Sequence, residues 1–215
     1  MEKFDIYKDI AKRTNGDIYI GVVGPVRTGK STFITKFMEI MVAPNISNKN
    51  KRQIAIDEMP QSGAGKTIMT TEPKFVPSEG VKISLKNKVQ AKVRLIDCVG
   101  YLVDGVIGDK EGDKPRLIKT PWDLEAIPFD KAASIGTEKV IEEHSTIGIM
   151  ITCDGSICDI DRENYIKAEE KVVQKLKDAQ KPFVIILNCV DDKSPKTLEL
   201  AENLSNKYGV LVIPL

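Results

Sequence analysis

The sequence predicts an α/β fold with a mostly parallel central sheet and helices on both faces. Three observations lead there. Short apolar runs rich in β-branched residues alternate with amphipathic stretches of helical period along the chain. One such run, 17–23, passes into a glycine loop and then a helix. The chain has 215 residues, enough for one sizeable domain with its own core.

Taken in order, residues 1–15 read as an amphipathic lead-in helix, with Phe4, Tyr7, Ile10 and Ala11 on one side. Residues 16–215 form the main domain. Its first strand, 17–23, is apolar enough to be buried on both faces. Residues 32–41 follow as a helix with Phe33, Phe37, Ile40 and Met41 on one face, stopped by Pro44. Residues 43–70 are polar and read as irregular, a length that marks a functional or mobile segment. Lys49, Lys51 and Arg52 within it read as a solvated loop. Residues 74–77 and 80–85 predict an edge hairpin, with 89–99 as the strand paired to it.

Residues 100–128 carry many Gly, Pro and charged residues and should be rich in loops. Residues 129–143 read as a helix, weakened by Gly136. Residues 146–153 are a buried strand. Tyr165, Ala168, Val172, Leu176 and Ala179 fall at helical spacing. Residues 182–188 are another buried strand. Ser194 caps a helix with Pro195 at its first position and Gly209 just past its end, and 209–214 form a last strand. The chain stops directly after that strand, which predicts a piece of a longer protein.

The glycine loop carries the most specific chemistry. Gly24, Pro25, Val26, Arg27, Thr28, Gly29, Lys30 and Ser31 match G-x-x-x-x-G-K-[ST] in full. In this pattern loop N–H groups converge on phosphate oxygens, and the helix that opens at Thr32 aims its positive end at the same point. Lys30 reaches the β- and γ-phosphates, and Ser31 offers its hydroxyl to Mg²⁺. Downstream, an apolar run ends in Asp97-Cys98-Val99-Gly100. Asp97 can hold Mg²⁺ through water, and the Gly100 N–H can sense the γ-phosphate. Thr71, with Thr70 as the alternate, can complete the Mg²⁺ shell when the γ-phosphate is present, which makes 60–71 a switch segment. Residues 63–67 imitate a second phosphate loop, but Pro60 stands where its first Gly belongs and no strand precedes it. Asn188-Cys189-Val190-Asp191 follows a buried strand at the place where G proteins read the base. Cys189 stands where their Lys covers guanine, so the choice of base stays open.

Two residues bear on mechanism. Tyr101 occupies the position where many G proteins place a water-orienting Gln, and an aromatic cannot do that work. Arg27 is the one Arg in a loop otherwise small or aliphatic. Its guanidinium could act as an arginine finger in cis; otherwise it points to solvent or pairs with an acidic neighbour.

Composition excludes other classes. Lys and Arg total 32 against 31 Asp and Glu, a net charge of +1, which provides no general field for nucleic acid or anionic lipid. Cys98, Cys153, Cys158 and Cys189 form no C-x-x-C pair and read as small buried residues of a reduced cytosolic protein. His144 reads as a surface or helix-end residue. No signal peptide and no membrane-length apolar run is evident, so membrane contact is peripheral at most.

Longer blocks carry a resemblance. Residues 62–73, Thr120-Pro121-Trp122, Ile127-Pro128-Phe129 with Ala132-Ala133, and His144 to Gly148 leading to Asp154-Gly155-Ser156 resemble stage IV sporulation protein A, the spore-coat morphogenetic ATPase family of endospore-forming bacteria. The resemblance spans nearly the whole chain. It implies a P-loop NTPase similar to translation-factor-type GTPases that binds and hydrolyses ATP with Mg²⁺. It also implies self-assembly into a polymer, the coat basement on the forespore surface in the mother-cell cytoplasm. A small amphipathic membrane-anchoring peptide and other coat proteins are the implied partners, through domains beyond this one. The alternative is a regulatory GTPase switch of the same fold, for example in ribosome assembly. Both readings share the phosphate site and Mg²⁺, and they differ in base and output.

Overall fold

A computed structural model of the protein describes residues 17–60, 72–84, 90–106, 110–111 and 114–215. The predicted lead-in helix over 1–15, the second glycine stretch at 63–67, Thr70 and Thr71 lie outside the described residues.

The chain opens with β1 (Asp17–Val23). Ile18, Ile20 and Val22 point to one face of the sheet, and Tyr19 and Val23 to the other. Next comes α1 (Lys30–Phe37), continued by a π-turn at Met38–Val42 and a 3₁₀ turn at Ala43–Asn45. Its core stripe is Ile34, Met38 and Val42, all fully buried, each contributing about 1.5–3 kcal/mol by apolar burial. The predicted stripe is corrected here. Phe33 and Phe37 are only partly buried, and Ile40 and Met41 are exposed, because the side of the helix one residue further round faces the sheet.

The stretch predicted to be irregular holds α2 (Lys49–Asp57). Asn48 caps it by accepting from the Lys51 N–H at 3.1 Å. The basic cluster is therefore helical rather than a loop; Lys49 and Lys51 are exposed as expected, and Arg52 is partly buried. Lys51 pairs with Glu79 at 3.0 Å, and the Arg52 guanidinium donates to the Ile46 carbonyl.

The expected edge hairpin is instead one strand, β2 (Lys74–Ser84), which pairs antiparallel with β3 (Gln90–Asp97) across an irregularity between Val76 and Val81. The region predicted to be loop-rich contains β4 (Lys110–Glu111), β5 (Lys114–Pro115), β6 (Leu117–Thr120) and β7 (Asp123–Pro128), paired as two small antiparallel ladders. Beyond these lie α3 (Phe129–Lys139) with a π-turn to His144, β8 (Ile147–Cys153), α4 (Arg162–Asp178), β9 (Phe183–Asn188), α5 (Pro195–Tyr208) and β10 (Val212–Pro214). Ser194 accepts from the Thr197 N–H, and Gly209 closes α5 at φ 67°, as the cap residues predict. His144 ends its helical turn against the Phe75 ring.

Among the described residues the central sheet has six strands in the order β10-β9-β8-β1-β3-β2. Only β2 runs antiparallel. α1 and α2 cover one face, and α3, α4 and α5 the other. The chain leaves β1 toward β3 on one side and returns to β8 on the other. Such a reversal opens a crevice at the carboxyl ends of the strands, where open α/β sheets bind ligands.

Candidate functional site

The glycine loop leaves β1 into that crevice. Val22 lies beside Asp97 in the parallel pairing, so the predicted carboxylate emerges next to the loop. Gly24 is at φ 145°, and a Cβ there would lie 2.1 Å from the Ile151 carbonyl oxygen. The loop therefore passes β8 at a distance only glycine permits. Pro25 and Val26 are buried, and the Val26 N–H donates to the Tyr101 carbonyl at 2.9 Å. The Thr28 hydroxyl donates to the Pro25 carbonyl at 2.9 Å, so the loop closes on itself. Gly29, at φ 90°, begins α1, whose first N–H groups have no side-chain cap among the described residues. Uncapped donors at a helix start suit an anion. Thr32 is exposed on that first turn.

Lys30 is buried, and its ammonium donates to the Pro25 carbonyl at 2.6 Å, inside the loop's own curve. Burial holds its pKa below the usual lysine range, against the pull of Cys98 and Asp97. Ser31 Oγ donates to Asp97 Oδ2 at 3.1 Å. Burial pushes the Asp97 carboxyl up, while Lys30 and Ser31 pull it back. The neighbouring Cys98 thiol is pushed up to about 11, again by burial. Asp97 Oδ1 is buried without a hydrogen-bond partner. A carboxylate oxygen left so, beside a serine hydroxyl, fits a hard divalent cation that keeps water and phosphate oxygens as its other ligands. No group of three or more His, Cys, Asp or Glu able to hold a metal occurs among the described residues.

Gly100 sits at φ 94°, where a Cβ would lie 2.0 Å from the Gly24 carbonyl oxygen and 2.7 Å from Lys30 Nζ. The structure thus brings Gly24, Lys30, Ser31, Asp97 and Gly100 together. Arg27 is partly exposed at φ 60°, a rare conformation for a side-chain-bearing residue, and its carbonyl faces the Cys158 thiol at 3.8 Å.

At the other end of the loop, the Asn188 side-chain amide donates to the Thr28 carbonyl at 3.0 Å. Asp191 follows three residues further on. It is exposed, and its carboxylate accepts from the Lys193 N–H at 3.0 Å. Cys189 packs toward the end of β10, its thiol donating to the Leu215 carbonyl at 3.5 Å. Ser156 enters the sequence reading only within the block Asp154-Gly155-Ser156, with no role of its own. Its hydroxyl donates to Asp154 at 2.6 Å and accepts from the Val190 N–H at 3.2 Å, joining the loops after β8 and β9. An Asp-Gly-Ser turn directly after a buried strand was the available signal. The sequence speaks only to the Tyr101 side chain, and the structure adds its carbonyl contact with Val26. Cys98 and Cys153 are buried as expected, Cys158 and Cys189 only partly, and all four are free thiols. Among the described residues no helix is long and apolar enough to cross a membrane.

Comparison with known proteins bears on this geometry. The model of the family "Stage IV sporulation protein A, ATPase domain" matches residues 1–215. The chain is 59% identical over 211 residues to Stage IV sporulation protein A of Clostridioides difficile (strain 630), covering 98% of this chain and 43% of that protein. It is 58% identical over 215 residues to the Bacillus anthracis protein of that name and 56% identical to the Bacillus subtilis (strain 168) one, covering 44% of each. The chain therefore spans less than half the length of these curated relatives.

Proposed function

The chain belongs to the family of Stage IV sporulation protein A ATPase domains, and from that premise we propose that it binds and hydrolyses ATP in a P-loop site of the translation-factor GTPase type. The observation that carries this reading is the meeting of the Lys30 ammonium, the Ser31 hydroxyl and an Asp97 oxygen without a partner at the uncapped start of α1.

Loop N–H groups and the start of α1 hold the phosphates. Lys30 exchanges its bond to the Pro25 carbonyl for phosphate oxygens and neutralises charge that develops as water attacks the γ-phosphate. Ser31 and Asp97 are the residues that would hold Mg²⁺, with Thr71, or Thr70, completing the set. When bound, that ion offsets phosphate charge. Gly100 presents its N–H to the γ-phosphate, and the Arg27 guanidinium adds positive charge. Asn188 and Asp191 line the base end. The products are ADP and phosphate.

Hydrolysis drives self-assembly of the spore-coat basement layer on the mother-cell, cytoplasmic side of the forespore. A small amphipathic membrane-anchoring peptide and other coat proteins are the partners. The family supports this output, and the near-neutral charge favours protein over nucleic acid as the partner.

Phosphate release from ATP, with Mg²⁺ and with chelator, tests the site. Turnover should vanish with chelator and fall about 100-fold in Asp97→Asn, the scale set by losing one transition-state contact. Equal turnover by Asp97→Asn would overturn the reading.

A further inference from the structure

We infer that Tyr101 is a positioning residue for the proposed hydrolysis, coupling the backbone at the γ-phosphate end of the site to α3 and α4. The inference rests on the reading of the site as an ATPase.

Tyr101 has two ends with different partners. Its backbone belongs to the phosphate loop. Its carbonyl accepts from the Val26 N–H at 2.9 Å, and Pro25 and Tyr101 pair as an isolated parallel bridge. One residue earlier, Gly100 is wedged against the Gly24 carbonyl and the Lys30 ammonium. The side chain turns the other way and is buried, 3% exposed. Its phenol donates to Glu138 Oε1 on α3 at 3.1 Å, and Lys171 Nζ on α4 lies 4.1 Å from the ring centroid. Glu138 in turn pairs with Lys171 at 3.7 Å and with Lys175 at 3.2 Å, and Lys175 reaches Glu142 at 3.5 Å.

The phenol is thus bolted to two helices through a charged acceptor and a cation over its face. Any drift of Gly100 away from the loop must carry Tyr101 and strain that attachment. The side chain that replaces a water-orienting Gln never enters the site. It acts through the backbone, fixing the Gly100 and Val26 N–H groups. Tyr101 is bonded to the Pro25 and Val26 end of the loop, whereas the ammonium and hydroxyl proposed to hold ATP and its metal belong to Lys30 and Ser31. Loosening Tyr101 therefore slows turnover more than it weakens binding.

Steady-state kinetics of the full-length protein with ATP test this. Tyr101→Phe, which deletes only the hydroxyl, should lower kcat about tenfold while KM stays within about twofold, the scale of one hydrogen bond to a charged group. Glu138→Gln keeps an acceptor and should fall between wild type and Tyr101→Phe. The double variant should be no slower than Tyr101→Phe, since both changes act through one bond. Wild-type kcat in Tyr101→Phe, a KM rise matching the fall in kcat, or additive losses in the double variant would overturn the inference while leaving the ATPase reading intact. Absence of turnover by the wild type would overturn both.

Discussion

The Asn188 side-chain amide donates to the Thr28 carbonyl at 3.0 Å, and a Cβ on Gly29 would lie 2.2 Å from that amide nitrogen. The asparagine expected at the base end also braces the phosphate loop. β9 delivers it from the side of the crevice opposite Asp97, so the loop is held between two strand ends. Gly29 is glycine because it must take φ 90° directly beneath this amide.

Asn188→Ala removes the brace and leaves the Thr28 carbonyl unpaired. Affinity for a non-hydrolysable ATP analogue should fall about tenfold, as expected for a lost hydrogen bond at a buried carbonyl. Calorimetric titration checks it. Unchanged affinity would show that the loop keeps its shape without β9.

Gly100→Ala and Gly105→Ala separate contact from backbone strain. Both residues have positive φ, 94° and 88°, but among the described residues only Gly100 of the two faces atoms that an added Cβ would strike. Gly105→Ala should cost about 1–2 kcal/mol, the left-handed penalty alone, with turnover intact. Gly100→Ala should cost more and abolish hydrolysis, because the Gly24 carbonyl cannot recede without moving the loop. Urea melts and phosphate release on both variants decide. Equal behaviour of the two would contradict the close approach of Gly100 to the loop.

Much of this arrangement was legible in the residues. The parallel strands are near-continuous apolar runs, and the cap of α5 is spelled by Ser194, Pro195 and Gly209. The glycine pattern of the loop likewise locates Lys30, Ser31 and, through the strand at 90–97, Asp97. What was hidden depended on partners distant in sequence. α2 buries little beyond Ala55, so its period is faint and its Lys-Arg run reads as solvent-facing. The α1 stripe lies one residue from the expected one because Phe33 and Phe37 fit the helical period as well as Ile34 and Met38 do, and only packing on the sheet separates the two faces. No local pattern says that Tyr101 reaches α3 and α4, since Glu138 and Lys171 are far along the chain.

The Tyr208 phenol, 6% exposed, donates to the buried Glu169 carboxylate at 2.6 Å, and burial and that bond raise its pKa above the usual 10.0. The folded protein therefore holds this proton at pH values where the unfolded chain has lost it. The stabilisation is present below pH 10 and disappears as pH rises through the folded value. Tyr208→Phe should be less stable by about 1–3 kcal/mol at neutral pH, because Glu169 loses a donor. Above pH 10 its stability should fall less steeply, and the gap to wild type should close. Denaturant melts from neutral to alkaline pH test this. A constant gap would contradict it.

Arg27→Ala should slow hydrolysis about 10- to 100-fold if its guanidinium offsets transition-state charge, and Arg27→Lys should recover only part of it, since an ammonium lacks the fork. Single-turnover kinetics read the effect. Wild-type rates in Arg27→Ala would remove Arg27 from the catalytic set.

The central claim is that this loop binds and turns over ATP. Competitive binding and hydrolysis of ATP against GTP by the wild-type protein, with Lys30→Ala as the control, tests it most directly. The expected result is preference for ATP, Mg²⁺-dependent phosphate release, and loss of both in Lys30→Ala. Preference for GTP, or ATP turnover that persists in Lys30→Ala, would contradict it.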